Sequence, residues 1–557
     1  MRADDVSDGP ASIPHTRPTG FHGLFRTDFL ARSVYSEGAG IGRVVPSAVA
    51  VPRDPDDVAE LIRWAHAEGV AVVPRGSGSG MAGGAVGSGL MVDLSRLDQL
   101  QAVDPVRRRV WAGPGVTRAR VQSAAREHGL RFPVDPSSGA FCTVGGMAAT
   151  NAAGAHTLRL GATRSWVTAL DCVFDDGSRA TVRRGSPLPV DVPAIRRFLE
   201  NVHDRVLTAP SRERSHIGVR KDSSGFALSD YARSGELVDL LIGSEGSLAI
   251  FVGLELALAP LPAATSSVLA EFGSLENAVD AASRARRAGA SACELLDRTF
   301  LDFAAQAGGN IPVVHGASET VLLVEVEAPD HASAVVAAAA LEREFDSSGA
   351  VRVVLALDPV AEAALWSLRH AASPILARLD PALKSMQLIE DGAVPPERLP
   401  EYVRGTRAAL VHRGVRGVIF GHAGDSHVHV NALIDVRLPD WRSRAAGLLD
   451  DVTGLVSRLG GTISGEHGDG RLRTPLLDRV WSPESMALFR DVKRAFDPRG
   501  ILNPGVKVPE AGQTSLGDVK YDPALPPLPA SAREALDSIE RERAWSCFRL
   551  SLVGEAS

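Results

Sequence analysis

Residues 416–434 read RGVIFGHAGDSHVHVNALI, and farther on ISGEHGDG puts Glu466 and His467 in a glycine-bounded loop. Two β-like runs flank GHAGDS, which predicts a hairpin. Strand side chains alternate between faces, so His427, His429 and Asn431 share one face, and His422 ends the first strand within reach of it. Imidazole nitrogen and carboxylate oxygen are donors that zinc favours, and a catalytic zinc keeps one position open for substrate. The set therefore predicts a divalent-metal site, zinc first. The same spacing also suits the polar face of an ordinary strand beside a plain turn, and spacing alone leaves both open. A third contributor is LWSLRHAAS, which reads as a helix carrying Arg369 and, one turn later, Ser373. The planar fork of Arg369 suits bidentate pairing with a carboxylate, or plain solvation on a helix face.

Three small-residue loops form a second constellation. GSGSGMAGGAVGSG runs from Gly76 to Gly89, and Gly78–Gly83 within it fits the dinucleotide pattern GxGxxG. A Rossmann loop must open a helix, whereas here a strand (LMVDLS) follows, and no GxxxxGK[ST] is present. What remains is an anion-binding nest of backbone N–H groups, or a flexible turn. PVDPSSGAFCTVGGMAATNAAG (133–154) and LIGSEGSLAIF (241–251) repeat the character. An extended dinucleotide lying between the three loops explains all of them.

The elements that must hold these groups alternate between strand and helix from Val44 onward. DPDDVAELIRWAHAEG reads as a helix opened by acidic residues and closed by Gly69. APLPAA (259–264) reads as a linker. Beyond it two successive βαβ patterns predict a ferredoxin-like α+β cap. The end, from Val508, is Pro-rich with one short helix and reads as a surface tail. The expected divisions are a leader (1–42), a cofactor domain (43–262), a cap and C-terminal domain (263–507) and the tail (508–557). A chain of 557 residues exceeds a single core. The net charge of −7 argues against nucleic acid as a partner. Four scattered cysteines without CxxC spacing argue against a disulfide framework, a zinc ribbon or an iron–sulfur cluster. The N-terminus is charged at once and lacks the apolar core of a signal peptide, and no stretch is long and apolar enough to span a bilayer. A cytoplasmic protein is expected, with peripheral membrane association left open.

PRGSGSGMAGG, FPVDPSS, CTVGGMAATNAAG, IGSEGSLAI and DPRGILNPG together resemble the FAD-linked oxidases of the vanillyl-alcohol-oxidase/PCMH superfamily. The similarity is to the branch of D-lactate dehydrogenase, glycolate oxidase and D-2-hydroxyglutarate dehydrogenase, over about residues 43 to 507. The resemblance implies an α+β protein: a PCMH-type FAD-binding domain of two α/β subdomains, then the cap, then a helical segment returning to the flavin. Arg75, Gly76, Ser77, Gly78 and Ser79 would wrap the pyrophosphate. Pro136, Ser137, Thr143, Gly146 and Asn151 would line the flavin. Glu245, Gly246 and Ile250 would meet FAD largely through backbone, and Asn503 would close the site. Covalently flavinylated members carry histidine where this chain has Ser79, which implies non-covalent FAD.

In the family pattern GHxGDGNxHxN followed by GEHG, His422, His429 and Glu466 match the metal ligands. Asn431 matches a substrate-contacting amide, His467 the catalytic base and Arg369 the carboxylate-binding arginine. Ser426 and His427 depart from the usual Gly-Asn, which puts the substrate pocket in question. Ile389 stands where dicarboxylate dehydrogenases tend to have lysine, so a second carboxylate clamp is not visible. The implied activity is oxidation of a D-2-hydroxy acid to the 2-oxo acid, by metal-assisted proton abstraction and hydride transfer to FAD. Electrons would pass to a separate acceptor, such as a quinone, cytochrome or electron-transfer protein. An O2-using alcohol or sugar oxidase, the FAD-dependent ether-lipid branch and a non-catalytic flavin-binding subunit are the alternatives. Monomer and homodimer both remain open.

Overall fold

A computed structural model of the chain describes residues 17–307, 314, 316, 318–370 and 382–554, so Ser373 lies outside the described residues. The N-terminal half begins with β1 (Leu24–Arg26), β2 (Ala48–Val51), β3 (Val72–Arg75) and β4 (Leu90–Asp93), ordered β1-β2-β4-β3. β2, β4 and β3 are parallel, which requires a crossover helix. That helix, Pro55–Glu68, has the caps its sequence announces. Asp54 accepts the Asp57 N–H at 2.9 Å, Pro55 occupies the first turn, and Gly69 ends it in the left-handed conformation at φ 70°. Its Val58, Leu61, Ile62 and Ala65 pack on Ala48, Val72 and Leu90. A second, antiparallel sheet orders β5 (Arg109–Ala112), β8 (Ile250–Ala257), β6 (Val167–Val173) and β7 (Arg179–Arg183).

The cap contains β9 (Ala264–Phe272), β10 (Ala292–Asp297), β11 (Thr320–Ala328) and β12 (Ala350–Ala356), ordered β12-β9-β11-β10. The fourth strand lies beside the first and the third between first and second, the ferredoxin-like pattern expected from the sequence. The sheet then continues through β14 (Arg416–His422) and β15 (His427–Asp435) to β13 (Leu383–Met386). The hairpin β14–β15 is in the predicted place, and His422 faces His427 across it. Val428, Val430, Ala432 and Ile434 fill the cap core under the helices. The intervening His427, His429 and Asn431 therefore point to the opposite face.

The C-terminal segment returns to the first sheet, where the Val72 N–H donates to Ile501 O and the Asn503 N–H to Val72 O, both at 2.8 Å. The segment after Val508 is more than a surface tail. The helix Ala530–Glu542 buries Ala532 and Ala535 against Ala31 and Val34 of the leader, and Lys520 donates to Gly38 O. Its apolar residues recur at helical spacing behind a proline-rich stretch, which masked them. Among the described residues no helix is long and apolar enough to cross a membrane.

Candidate active site

The three small-residue loops converge on one cavity. Gly76, Ser77, Gly78 and Ser79 line it from the first loop, Pro136, Ser137, Thr143 and Gly146 from the second, and Glu245, Gly246 and Ile250 from the third. Glu466 and His467 line the same cavity. Glycine backbone and serine and threonine hydroxyls line it beside apolar side chains such as Met81, Met147 and Phe251, a lining suited to a phosphate-bearing dinucleotide with an aromatic ring. Gly78 (φ 72°) and Gly246 (φ 73°) have left-handed backbone, and a Cβ on Gly246 would stand 2.3 Å from Pro74 Cγ. Only glycine closes that turn.

Three of the expected flavin contacts have protein partners of their own. Atoms of Arg75 line the cavity, but its guanidinium is buried and donates to the carbonyls of Tyr35 (3.1 Å), Ala85 (3.0 Å) and Glu37 (2.8 Å). Burial lowers its pKa to about 9. It ties the leader to the glycine loop. Asn151 ends the helix Val144–Thr150 at φ 53°, accepts the Arg164 N–H at 2.9 Å, and lines a neighbouring cavity instead. Asn503 donates to Gly84 O (3.0 Å) and Glu245 O (2.7 Å) and accepts from Arg471, so it braces the loops from behind. The Glu245 carboxylate turns away from the cavity to the Asp469 and Gly470 N–H groups and to Lys507 at 3.0 Å.

Where the cavity meets the cap, the predicted metal donors come together. Glu466 Oε1 lies 3.4 Å from His422 Nε2 and 3.3 Å from His429 Nε2. Tetrahedral bonds of about 2.0–2.1 Å would place neighbouring donors roughly 3.3–3.4 Å apart, so the spacing fits an ion such as zinc. The tautomers fit as well. His422 Nδ1 is 2.5 Å from Glu294 Oε1 and His429 Nδ1 is 2.9 Å from the Glu390 carbonyl, so each Nδ1–H is donated there and each Nε2 is the atom turned toward Glu466. Lys221 Nζ holds Glu466 Oε2 at 2.9 Å, leaving Oε1 toward the histidines.

His467 Nε2 is 3.6 Å from Glu466 Oε1, and its Nδ1 is 2.7 Å from Glu390 Oε2. Burial acts to lower its pKa, but Glu390 and Asp391 outweigh this and raise it to about 10. A cation held at Glu466 would act in the opposite direction. For His422, burial is outweighed by Glu294 and the pKa rises to about 9. His427 goes the other way: burial lowers it to about 4, and it stays neutral. Burial also works against an ionised Glu466, yet Lys221 and then His422 hold its carboxyl well below the usual range. A second group of donors, Glu390, Asp391, His429 and His467, is also close enough for an ion. Arg473 already pairs with both carboxylates there, and with Asp391 at 3.0 Å.

An FAD binding domain matches residues 46–183, and the C-terminal domain of FAD linked oxidases matches residues 261–506. The chain is 30% identical over 472 residues to a D-2-hydroxyglutarate dehydrogenase of Xanthomonas citri pv. viticola, covering 83% of this chain and 89% of that protein. The chain belongs to the FAD-linked oxidases. A D-lactate dehydrogenase of Archaeoglobus fulgidus is 29% identical over 460 residues, 82% of this chain and 90% of the relative. The solved 4-ethylphenol oxidase of Gulosibacter chungangensis superposes with a TM-score of 0.64 at 15% identity, covering 87% and 94% of the two chains. That likeness concerns the PCMH-type fold alone.

In this FAD-linked oxidase several groups around the cluster escaped the sequence analysis. Lys221, Glu294, Glu390, Asp391 and Arg473 are all buried and come from four separate segments: Glu294, Glu390 and Asp391 meet the histidines, Lys221 holds Glu466, and Arg473 pairs with the two adjacent carboxylates. No local spacing marks Glu294, which sits on the interior strand β10. The pair Glu390-Asp391 before Gly392 was a signal, since two adjacent acids ahead of a glycine are rarely buried without partners. Arg369 reaches the cluster indirectly. Its Nε is 2.6 Å from Glu294 Oε2 and its guanidinium lies 5.0 Å from the Phe420 ring. Asn431 continues the histidine face of β15, opposite Val418.

Proposed function

We infer that this FAD-linked oxidase oxidises a small D-2-hydroxy acid to its 2-oxo acid and passes the electrons to a separate acceptor. The observation that carries the inference is the position of His467, which lines the flavin cavity while lying 3.6 Å from the carboxylate of the His422–His429–Glu466 cluster. The names of the D-2-hydroxyglutarate and D-lactate relatives point to the substrate class. When bound, FAD supplies the hydride acceptor and a divalent ion, zinc by its donor set, supplies the Lewis acid.

The chain's own groups do the rest. His422 Nε2, His429 Nε2 and Glu466 Oε1 would hold the ion, and Lys221 fixes the second oxygen of Glu466. Arg369, whose Nε is committed to Glu294, would meet the substrate carboxylate from its Nη edge, and Asn431, on the histidine face of β15, would offer an amide to the substrate. His467 Nε2 takes the hydroxyl proton. Its Nδ1–H, held by Glu390, fixes the tautomer and stabilises the imidazolium that forms, as a carboxylate does behind a catalytic histidine. Reduction of a redox dye by a panel of D- and L-2-hydroxy acids tests this. Reduction with D-isomers is the expected result. Activity confined to L-isomers, or to alcohols and sugars with peroxide release, would overturn it.

A further inference from the structure

His427 stands where the resembling family has asparagine, and its ring is fully buried. Its Nε2 lies 2.9 Å from Asp391 Oδ1. That carboxylate also pairs with Arg473 at 3.0 Å and accepts the N–H groups of Glu466 and His467. A carboxylate that already takes a guanidinium and two backbone N–H groups acts as an acceptor, so His427 turns its Nε2–H to Asp391 and Nδ1 is the nitrogen left toward the cluster. That Nδ1 is buried without a hydrogen-bond partner. Buried acceptors are nearly always satisfied, so an orphan facing a cluster of donors points to something that fills the space between them.

The backbone aims this lone pair. Ser426 takes the left-handed conformation at φ 57° and turns the chain so that His427 opens β15 directly opposite His422. Strand alternation then puts His427 on the face of His429, with ring centroids 4.7 Å apart, and 5.4 Å from the His422 ring. Nδ1 is 4.0 Å from Glu466 Oε2, and the donor atoms of His422, His427, His429 and Glu466 all lie within 4.8 Å of one another.

We propose that His427 Nδ1 is a fourth protein ligand to the ion, with substrate as a fifth, so that this chain offers three imidazoles and a carboxylate where the family pattern offers two imidazoles and a carboxylate. The proposal rests on the reading that an ion sits at His422, His429 and Glu466. Its consequence is selectivity. Imidazole favours the later first-row ions, whereas manganese and magnesium prefer oxygen. The extra nitrogen therefore biases the site toward zinc or cobalt over manganese.

The test uses the full chain with FAD bound, stripped of metal and reloaded with Zn2+, Co2+ or Mn2+ alone. X-ray absorption at the zinc edge counts imidazoles, and competition with a chromophoric chelator gives affinities for wild type, His427→Asn and His427→Gln. The expected result is three imidazoles in wild type and two in either variant. Zinc affinity should fall by more than the 10–100-fold typical of losing an outer partner, with a much smaller change for manganese. FAD content of the metal-free variants reports folding, and if neither variant folds, the wild-type imidazole count decides alone. Two imidazoles in wild type, or equal zinc affinities, would overturn the assignment of His427 and leave the three-ligand reading intact. No bound ion in any form would overturn that reading, and this proposal with it.

Discussion

Replacing Lys221 by methionine separates charge from shape at the centre of the site. The lysine side chain is 2% exposed, and its Nζ lies 2.9 Å from Glu466 Oε2 and 3.7 Å from Asp425 Oδ2 and donates to Gly154 O at 3.1 Å. Burial opposes its charge, but Glu466 and Asp425 outweigh that and raise its pKa, so it is an ammonium at neutral pH. Methionine keeps most of the volume and leaves Glu466 buried with no cation on its Oε2 side. Breaking a buried pair by removing one partner costs about 3–5 kcal/mol. Protonation of Glu466 recovers part of this, at about 1.4 kcal/mol per unit of pKa rise. A divalent ion at Oε1 replaces the missing charge, so the metal-loaded variant should lose less stability than the metal-free one. If it loses about half as much, the remaining roughly 2 kcal/mol appears by linkage as metal affinity more than tenfold tighter than wild type. Urea midpoints with and without zinc, and zinc affinity by chelator competition, measure both sides. Equal losses in the two forms with unchanged or weaker affinity would refute the electrostatic reasoning and leave Lys221 as a positioning residue.

Non-covalent cofactor follows from Ser79 on the cavity wall: the protein should be yellow and release intact FAD on denaturation, whereas flavin that stays with the precipitate contradicts this. Chelation should abolish turnover yet leave the flavin bound, because the metal donors and the glycine loops are different segments; an active preparation free of metal speaks against the metal assignment. His156 joins the two halves, with Nδ1 2.6 Å from Asp135 and Nε2 2.8 Å from Glu325. Burial lowers its pKa, but Asp135 and then Glu325 outweigh it and raise it to about 11. A folded pKa above the unfolded value of about 6.5 means the contribution is complete below pH 6.5 and is lost as pH rises through 11. His156→Gln should therefore destabilise strongly at pH 6 and much less at pH 10; equal shifts in denaturation midpoint at both would count against it.

The hairpin was legible because period two and the turn GHAGDS are local, and the structure faces His422 against His427. The helix Pro55–Glu68 was legible for the same reason, its caps being written in adjacent residues. The partners of Arg75 were not legible, because sequence gives its neighbourhood of glycines but not the three carbonyls that accept from its guanidinium. The carboxylates and the lysine behind the histidines come from distant segments, and their burial and pairing exist only once the cap and the flavin-binding half are packed together. His427 was visible as a departure from the family pattern, but its unpartnered nitrogen required the position of Asp391.

The most direct test is anaerobic flavin reduction in a single turnover by His467→Ala, measured by stopped flow beside its FAD and metal content. His467 Nε2 lies 3.6 Å from Glu466 Oε1, farther than the His422 and His429 nitrogens, and the proposed role gives it the substrate proton and not the ion, so the variant should keep both cofactors. Loss of a general base predicts reduction slowed by about 10² to 10⁴. Reduction at the wild-type rate, with FAD and metal both bound, would contradict the role of His467 as the base.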